Sequence, residues 1–309
     1  MAFSYPKHEF WVVVPNEELS AGEYKLQLSF EGSLLNKIVG FYRSVYADSK
    51  SHEQHFIATS KFEPTYARLA FPCFDEPQLK SKFKISLTRS SGNNYIALSN
   101  MNQESEELNF PTNGLTTVHF ANSVPISTYL ICFIVYDFQS LEVSIQLMIK
   151  RQLLLLLVTN WLICGLEVLD TSFLTHNLQP VQYLDNKLSS RAIMQAVSNP
   201  YQITEMFDGI SYYKGSTLLR MLESLLVDQV FRIGVIAYLK RFAYNNAETD
   251  DLWTEIQTAT NNTVNVKKVM DTWTRQSGFP LVSAIRNGTK LTLKQQRFLS
   301  DPNTNSSND

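Results

Sequence analysis

The chain has 309 residues, of which 44% are hydrophobic and 18% are charged. This length suggests about two domains, and this composition excludes intrinsic disorder over most of the chain. The 27 basic and 29 acidic residues leave a net charge of −2, which excludes a bulk electrostatic attraction to nucleic acid or to an anionic membrane.

The first part of the chain, residues 8–140, is predicted to be rich in β-strands. Apolar or alternating runs predict strands at residues 10–14, 24–30 and 83–87. The continuous apolar run at residues 129–135 is typical of a strand that is buried on both faces. Clusters of Gly, Pro, Asn and Ser separate these runs and predict turns between them.

Residues 150–276 are predicted to be mainly helical, because apolar residues recur there at helical spacing. The pattern is clearest at residues 218–226 and 235–239. From Leu281 onward the pattern is strand-like again, and the pair Asn287–Gly288 predicts a hairpin turn.

One strongly apolar stretch, residues 153–169, contains Thr159, Asn160 and Glu167. A membrane-spanning helix needs about 20 mostly apolar residues, so a buried helix is the favoured interpretation and a membrane role is the alternative. The first residues of the chain lack the apolar run of a signal peptide. Three cysteines without a C-x-x-C pair predict neither a disulfide framework nor a thiolate zinc site.

Several motifs occur in the order in which one enzyme family carries them. The most specific is F-P-C-F-D-E-P at residues 71–77, and it is followed by E-M-F-D-G-I-S-Y-Y-K-G at 205–215 and W-T-R-Q-S-G-F-P at 273–280. On these motifs the chain resembles the zinc aminopeptidases of the aminopeptidase N type, which include the endoplasmic-reticulum and leucyl-cystinyl aminopeptidases. The resemblance implies a zinc metallopeptidase that removes N-terminal residues from peptides.

The resemblance implies an α+β fold in several parts. Residues 1–141 would form an N-terminal antiparallel β domain that is truncated at its start. Residues 142–276 would form a reduced helical remnant of a thermolysin-like catalytic domain, and residues 277–300 the start of a small β-sandwich domain. The Asn- and Ser-rich residues 301–309 are predicted to be a disordered tail.

The zinc-binding motif of that family is absent from the sequence. In the motif H-E-x-x-H, two histidines one helical turn apart bind one metal, and the glutamate is the general base for the metal-bound water. The nearest imitation is H-E-Q-H at residues 52–55, where the spacing is one residue too short and a loop or strand is predicted. The five histidines of the chain are His8, His52, His55, His119 and His176.

The family motif G-A-M-E-N, which lines the substrate cleft and binds the free α-amino group through its glutamate, is absent as well. We expect the stretch that carries both motifs to be missing between Leu141, where the β domain ends, and Leu153. Residues 161–165, W-L-I-C-G, weakly resemble the family string that bears the third zinc ligand, with Cys164 in the glutamate position. A lone cysteine in apolar surroundings is usually inert packing. We therefore predict no metal ligands and no cofactor in this chain, although zinc is the cofactor of the family.

Three residues match functional positions of the family. Tyr212 matches the tyrosine that donates a hydrogen bond to the oxyanion of the reaction intermediate. Without a zinc-bound nucleophile no such oxyanion forms, so this tyrosine has nothing to stabilise. Glu63 matches a residue that helps to bind the α-amino group of the substrate, since a carboxylate pairs with an ammonium. Lys61 falls where the family sets its preference for the first substrate side chain, and a cation there would favour acidic or disfavour basic side chains. Arg68, Asp75 and Glu76 lie in a structural motif and are expected to be turn and ion-pair residues.

Three functional hypotheses follow from this pattern. The chain is a catalytically inactive remnant or isoform of a zinc aminopeptidase, a non-catalytic module that binds peptides with free N-termini or pairs with a full-length paralogue, or an incomplete record of an active enzyme. No G-x-S-x-G elbow and no phosphate-binding loop offers another hydrolytic mechanism. The sequence predicts no nucleic-acid partner and no clear membrane anchor, and it assigns no location.

Overall fold

The computed structural model divides the chain into two compact units, residues 1–33 and 34–309. The apolar stretch 153–169, the residue Cys164 within it, and residues 302–309 of the predicted tail lie outside the described residues. Among the residues that the structure describes, no helix is long and apolar enough to cross a membrane. The described residues are 2–5, 10–34, 37–48, 51–92, 94–137 and 173–301.

The first unit consists of one hairpin followed by irregular chain. Its strands, β1 (Ala2–Tyr5) and β2 (Phe10–Val13), pair antiparallel, which confirms the strand predicted over residues 10–14. The strand predicted over residues 24–30 is wrong, because the chain there is irregular and its four large apolar side chains are exposed. An alternating pattern yields a stable strand only when neighbouring strands pair with it and a second layer covers its apolar face.

Two antiparallel sheets form the β region of the second unit. The first sheet has the order β3-β4-β9-β6 and the second the order β5-β8-β7, with a bulge in β7. The rings of Phe62, Phe71 and Phe133 pack edge to face or tilted in the core beside the first sheet. The strands are β3 (Gly40–Ala47), β4 (Gln54–Lys61), β5 (Ser86–Ser90), β6 (Ile96–Ser99), β7 (Gln103–Leu108), β8 (Leu115–Phe120) and β9 (Phe133–Tyr136).

The strand predicted over residues 83–87 is confirmed in part, because β5 begins only at Ser86. The chain just before β5 is nevertheless held beside the sheet. Phe83 donates its backbone N–H to the Ser123 hydroxyl, and the Ser123 backbone N–H donates to the Phe83 carbonyl, both at 2.9 Å.

The continuous strand predicted over residues 129–135 is wrong in its first half. Thr128–Leu130 forms a single turn of 3-10 helix, and the strand begins only at Phe133. The Thr128 hydroxyl donates a hydrogen bond of 2.6 Å to Oδ1 of Asp75. A side-chain hydrogen bond of this kind competes with sheet pairing and holds the chain in a turn, even where the apolar pattern favours a strand.

Residues 173–301 form the helical region and a terminal hairpin. The π-helical segments Leu174–Leu178 and Ile210–Lys214 lead directly into α1 and α3. The helices predicted at residues 218–226 and 235–239 are confirmed as parts of α3 and α4. The helices are α1 (Gln179–Asp185), α2 (Pro200–Glu205), α3 (Gly215–Leu226), α4 (Asp228–Arg241), α5 (Thr249–Ala259) and α6 (Val266–Thr274).

Helices α3 to α6 share one apolar core, in which Leu222, Ile256 and Met270 are completely buried. Gly234 allows α4 to approach α5 closely, because a Cβ at this position would lie only 2.6 Å from the Cα of Ile256. Any larger residue at this position would force the two helices apart.

The terminal hairpin consists of β10 (Pro280–Asn287) and β11 (Lys290–Arg297), which pair antiparallel. Asn287 stands opposite Lys290, so the turn contains two residues, and Gly288 adopts a φ of +59°. This confirms the hairpin turn predicted at Asn287–Gly288.

A buried ion pair joins the base of this hairpin to the helical region. Nζ of Lys214 lies 2.8 Å from Oδ2 of Asp185, and both side chains are 5% exposed or less. Lys214 also donates to the carbonyls of Gln276 and Gly278. Asp185 also accepts hydrogen bonds from the Gly278 backbone N–H and from the Ser190 hydroxyl. These additional hydrogen bonds offset the cost of removing two charges from water.

We predict that Asp185→Ala lowers the free energy of unfolding by about 3–5 kcal/mol, because the buried ammonium of Lys214 loses its counter-charge. Urea denaturation followed by far-UV circular dichroism measures the loss. The matched control is Arg241→Gln, which breaks an ion pair between Glu255 and an arginine side chain that is 63% exposed. The control should cost less than about 1 kcal/mol. An equal loss in both variants would contradict this role of the buried pair.

Candidate functional site

A cleft of about 490 Å³ lies between the β region and the helical region. Its β-region wall includes Glu63, Glu76 and Tyr129, and its other wall comes from residues 197–207 around helix α2. Glu63 and Glu76 are both exposed, and neither side chain forms a hydrogen bond or an ion pair with another described residue. The cleft therefore presents two carboxylates that remain available to a ligand.

The carboxylate of Asp75 holds the β-region wall together. Oδ2 accepts hydrogen bonds from the backbone N–H and Nε of Arg68 at 3.2 and 2.9 Å, and Oδ1 accepts from the Thr128 hydroxyl. Nη2 of Arg68 donates to the Asp75 carbonyl at 3.0 Å. These contacts confirm the expected ion pair and fix the segment that carries Glu76 beside the turn that carries Tyr129.

The helical wall is fixed by a capping box at the start of α2. Oδ1 of Asn199 accepts from the Gln202 backbone N–H at 3.1 Å, and Oε1 of Gln202 accepts from the Asn199 backbone N–H at 3.3 Å. The Ser198 backbone N–H donates to the same Gln202 oxygen at 2.7 Å. The entry of the chain into α2 is therefore held in one conformation at the edge of the cleft.

Tyr212 lies beside this cleft, in the π-helical segment Ile210–Lys214. The centroid of its ring is 6.3 Å from that of Phe207, which lines the cleft. Burial, and then the negative charge of Glu63, raise the pKa of the Tyr212 hydroxyl, and the same two causes raise the pKa of Tyr129. Both phenols therefore stay protonated at neutral pH and can donate hydrogen bonds near the Glu63 carboxylate.

The structure thus brings together two of the three candidate residues, Glu63 and Tyr212, and leaves the third apart. Lys61 is exposed at the end of β4, opposite Gly40, and is not among the residues that line the cleft. The sequence pattern gave no sign that Tyr129 lines the cleft, because the apolar run assigned this residue to a strand. It also gave no binding role to Glu76, although this residue lies in the most specific motif of the chain.

The H-E-Q-H string lies in a turn and a strand, as predicted. His52 adopts a φ of +58° in the turn before β4, and His55 lies within that strand. Nδ1 of His55 is 2.5 Å from Oδ2 of Asp137, and the Tyr46 hydroxyl donates to Oδ1 of Asp137 at 2.7 Å. His55 is therefore engaged in a local network of the sheet.

Zinc needs several His, Cys or carboxylate ligands that converge on one point. In the part of the chain that the structure describes, no group of three or more His, Cys, Asp and Glu side chains could hold a metal ion. The described side chains near Tyr212 therefore do not fit a zinc ion.

The charges of the His55 network support one another. The hydrogen bond between His55 and Asp137 raises the pKa of His55 above 6.5. The hydrogen bond between Tyr46 and Asp137 raises the pKa of Tyr46 to about 12. Desolvation alone would raise the pKa of Asp137, but the hydrogen bonds from Tyr46 and His55 outweigh it and leave this pKa below 3.8. His55 and Asp137 therefore form an ion pair in mildly acidic solution.

We predict that His55→Gln destabilises the protein more at about pH 6 than at about pH 9. The pKa of His55 is higher in the folded protein than in the unfolded chain. The contribution of His55 to the free energy of unfolding is therefore complete below its pKa in the unfolded chain, and it is lost as the pH rises through its pKa in the folded protein. The pKa of Asp137 is lowered in the folded protein. Its contribution to the free energy of unfolding is therefore lost only as the pH falls through the pKa that Asp137 has in the folded protein. Urea unfolding of both proteins at the two pH values measures the difference, and an equal loss at both would contradict the ion pair.

Comparison with known proteins adds an independent observation. Residues 1–130 match the family model described as the peptidase M1 N-terminal domain, and residues 155–273 match the peptidase family M1 domain. The chain belongs to the M1 peptidase family. The resemblance found in the motifs is confirmed, and so is the α+β fold, with an antiparallel β region followed by a helical region.

Among M1 relatives, the chain is similar to glutamyl aminopeptidase of Bos taurus, with 32% identity over 420 residues that include 99% of this chain and 43% of the relative. Glutamyl aminopeptidase of Homo sapiens is 31% identical with the same coverage. Endoplasmic reticulum aminopeptidase 2 of Bos taurus is 30% identical, over 96% of this chain and 45% of the relative. The chain thus spans less than half the length of these M1 proteins.

The alignment with the bovine relative is also longer than this chain. The alignment with the bovine glutamyl aminopeptidase extends over 420 residues and this chain has 309, so at least 111 aligned residues of the relative have no counterpart here.

Proposed function

We propose that this M1 chain binds the free N-terminus of peptides at the Glu63 cleft and does not hydrolyse them. The observation that carries the proposal is the exposed carboxylate of Glu63, which lines the cleft without a partner among the described residues. A carboxylate forms its strongest hydrogen bonds with charged donors such as an α-ammonium. The protonated phenols of Tyr129 and Tyr212 are suited to donate to the carbonyl oxygen of the first peptide bond.

The absence of hydrolysis is supported by the sequence and by the donor chemistry. The sequence contains neither H-E-x-x-H nor G-A-M-E-N. In total, at least 111 aligned residues of the bovine relative have no residue of this chain opposite them, a number large enough to include both motifs. A tyrosine that donates to an oxyanion accelerates hydrolysis only when a nucleophile attacks the same carbonyl. Tyr212 is therefore a binding residue in this proposal.

We predict that a tetrapeptide with a free N-terminus binds about tenfold more tightly than the same peptide after N-acetylation. The reason is that acetylation removes the charged donor, and a hydrogen bond to a charged group contributes roughly 1.5–3 kcal/mol. Fluorescence anisotropy of a C-terminally labelled peptide measures both affinities. The preference should also decline as the pH rises through the pKa of the peptide α-amino group, about 7.7–8.0.

The variant Glu63→Gln should remove this preference while leaving the fold intact. The matched control is Glu205→Gln. Glu205 is an exposed carboxylate in helix α2, which borders the cleft, but Glu205 does not line the cleft. Equal affinity of the wild-type protein for the free and acetylated peptides would contradict amine recognition by Glu63. Loss of the preference in the control variant would contradict it as well.

The alternative is that the sequence is an incomplete record of an active zinc aminopeptidase. The observation that favours this alternative is that the alignment with the bovine relative exceeds the length of this chain by 111 residues. Sequencing of the transcript across the codons for Ser140 to Trp161 distinguishes the two. Recovery of a segment with H-E-x-x-H would assign zinc-dependent removal of N-terminal residues to the protein, whereas an uninterrupted junction would support the binding module.

A further inference from the structure

The terminal hairpin, β10 and β11, has neither face covered. Every residue from 281 to 296 is exposed, and in the part of the chain that the structure describes no further strand pairs with β10 or β11. A two-stranded hairpin without a covering layer is at best marginally stable in water. Five exposed apolar side chains on one hairpin indicate an interaction surface. They are between 41% and 68% exposed and belong to Leu281, Val282, Ile285, Leu291 and Leu293.

The base of the hairpin is fixed. The rings of Phe279 and Phe298 stack with their centroids 5.2 Å apart, and the Phe298 backbone N–H donates to the Phe279 carbonyl at 2.9 Å. Nη2 of Arg297 donates to the Lys187 carbonyl of the helical region at 3.0 Å. The exposed part of the hairpin is therefore presented from a fixed base, which reduces the entropy that is lost when a partner binds.

The register of the two strands separates the exposed side chains into two faces. Partners across the hairpin, such as Ala284 and Leu293, lie on the same face, and successive residues of one strand lie on opposite faces. The hairpin is therefore amphipathic. The apolar face consists of Val282, Ala284, Leu291 and Leu293, with Arg286 and Gln295 at its ends. The basic face consists of Ser283, Asn287, Lys290, Thr292, Lys294 and Gln296, together with Leu281 and Ile285.

The hairpin also concentrates positive charge. Residues 272–300 contain five basic and no acidic residues, although the whole chain has a net charge of −2. Lys290 and Lys294 form no ion pair with another described residue. Arg286 donates from Nε to the Gly288 carbonyl at 3.0 Å, a contact that leaves its positive charge without a counter-charge. The local potential is therefore positive and favours an anionic partner.

The apolar face is too small to hold two copies of this chain together. Each strand has eight residues. Such a face measures about 25 by 10 Å, so two stacked copies would bury on the order of 500 Å². Stable interfaces between proteins bury at least about 1,200 Å². The area therefore argues against a second copy as the covering partner.

The surface of a membrane with anionic phospholipids matches both the charge and the apolar side chains. A nucleic acid matches only the charge, because its contacts with proteins go mainly to phosphates, sugars and base edges. An amphipathic element with a basic face lies in the plane of an anionic membrane surface. Its apolar side chains enter the boundary between headgroups and acyl chains, and its long cationic side chains extend to the phosphates.

We propose that the β10–β11 hairpin binds the surface of membranes that contain anionic phospholipids. The apolar face enters the interfacial region, and Arg286, Lys290 and Lys294 lie close to the headgroups. Because the net charge of the whole chain is negative, the attraction depends on this local concentration of cations. The hairpin shares no residue with the lining of the Glu63 cleft, so lipid binding does not depend on the proposed peptide binding.

Co-sedimentation with sucrose-loaded vesicles tests the proposal. One set of vesicles consists of phosphatidylcholine alone, and in the other set about one third of the lipid is phosphatidylserine. The chain should bind the vesicles with phosphatidylserine about tenfold more tightly, because each cation near an anionic surface adds to the attraction. Added salt should reduce this preference, because salt screens exposed charges.

Two double variants separate the contributions of the two faces. Lys290→Gln with Lys294→Gln should remove most of the preference for vesicles with phosphatidylserine. Leu291→Ser with Leu293→Ser should weaken binding to these vesicles about tenfold, because the apolar side chains no longer enter the interfacial region. All four side chains are exposed, so the variants should retain the fold, which far-UV circular dichroism checks.

The matched control for the lysine variant is Lys240→Gln with Lys268→Gln. These substitutions remove two exposed lysines of α4 and α6, outside the hairpin, and should leave the preference unchanged. Equal binding of the wild-type chain to both sets of vesicles would overturn the proposal. An equal loss of preference in the control and in the hairpin variant would overturn it as well.

Two further measurements test the other partners. A dimer in analytical ultracentrifugation without vesicles that disappears in Leu291→Ser with Leu293→Ser would assign the apolar face to a second copy and overturn the proposal. Tighter binding to a short DNA duplex than to the vesicles, retained in the same variant, would assign the cations to nucleic acid and overturn it too. Glu63→Gln should leave vesicle binding unchanged, so failure of lipid binding and failure of peptide binding are distinguishable.

Discussion

The carboxylate of Asp75 is the group on which the cleft depends, because it joins two distant segments of the β region. The Arg68 backbone N–H, the Arg68 guanidinium and the Thr128 hydroxyl all donate to it, and its side chain is only 5% exposed. A carboxylate buried to this degree is stable only when charged and hydrogen-bonding partners surround it. The same contacts join the segment that follows Glu63 to the turn that carries Tyr129.

The opposite side of the site depends on a second buried charge. The π-helical segment that presents Tyr212 ends at Lys214, whose ammonium is held by Asp185 and by the carbonyls of Gln276 and Gly278. Both sides of the site are therefore held by ion pairs between side chains of the protein, Arg68 with Asp75 and Lys214 with Asp185. The side chains of Glu63 and Glu76, which have no hydrogen-bond or ion-pair partner among the described residues, lie at the surface of the cleft. This division between structural and exposed charges supports ligand recognition at this cleft, since a rigid scaffold loses little entropy when a ligand binds.

The sequence predicted most local elements and only part of the site. Helical periodicity located α3, and the Asn287–Gly288 pair located the hairpin turn, because both signals are local. The prediction of a strand at residues 24–30 was wrong, because an alternating pattern of apolar and polar residues does not show whether another layer of the protein covers the apolar face. Tyr129 was assigned to a strand because the hydrogen bond between Thr128 and Asp75 joins residues far apart in the chain. Glu63 and Tyr212 were found through motifs. That Glu76 lines the cleft and Lys61 does not depends on the tertiary structure, which brings together side chains from distant parts of the chain.

We propose that this M1 chain recognises a peptide N-terminus without the metal that would cleave the peptide. The most direct measurement combines the zinc content of protein exposed to zinc and then dialysed with the release of product from an aminoacyl reporter by the same sample. The account predicts zinc far below one ion per chain and no release above the buffer control. One firmly bound zinc per chain together with turnover of the reporter would contradict it.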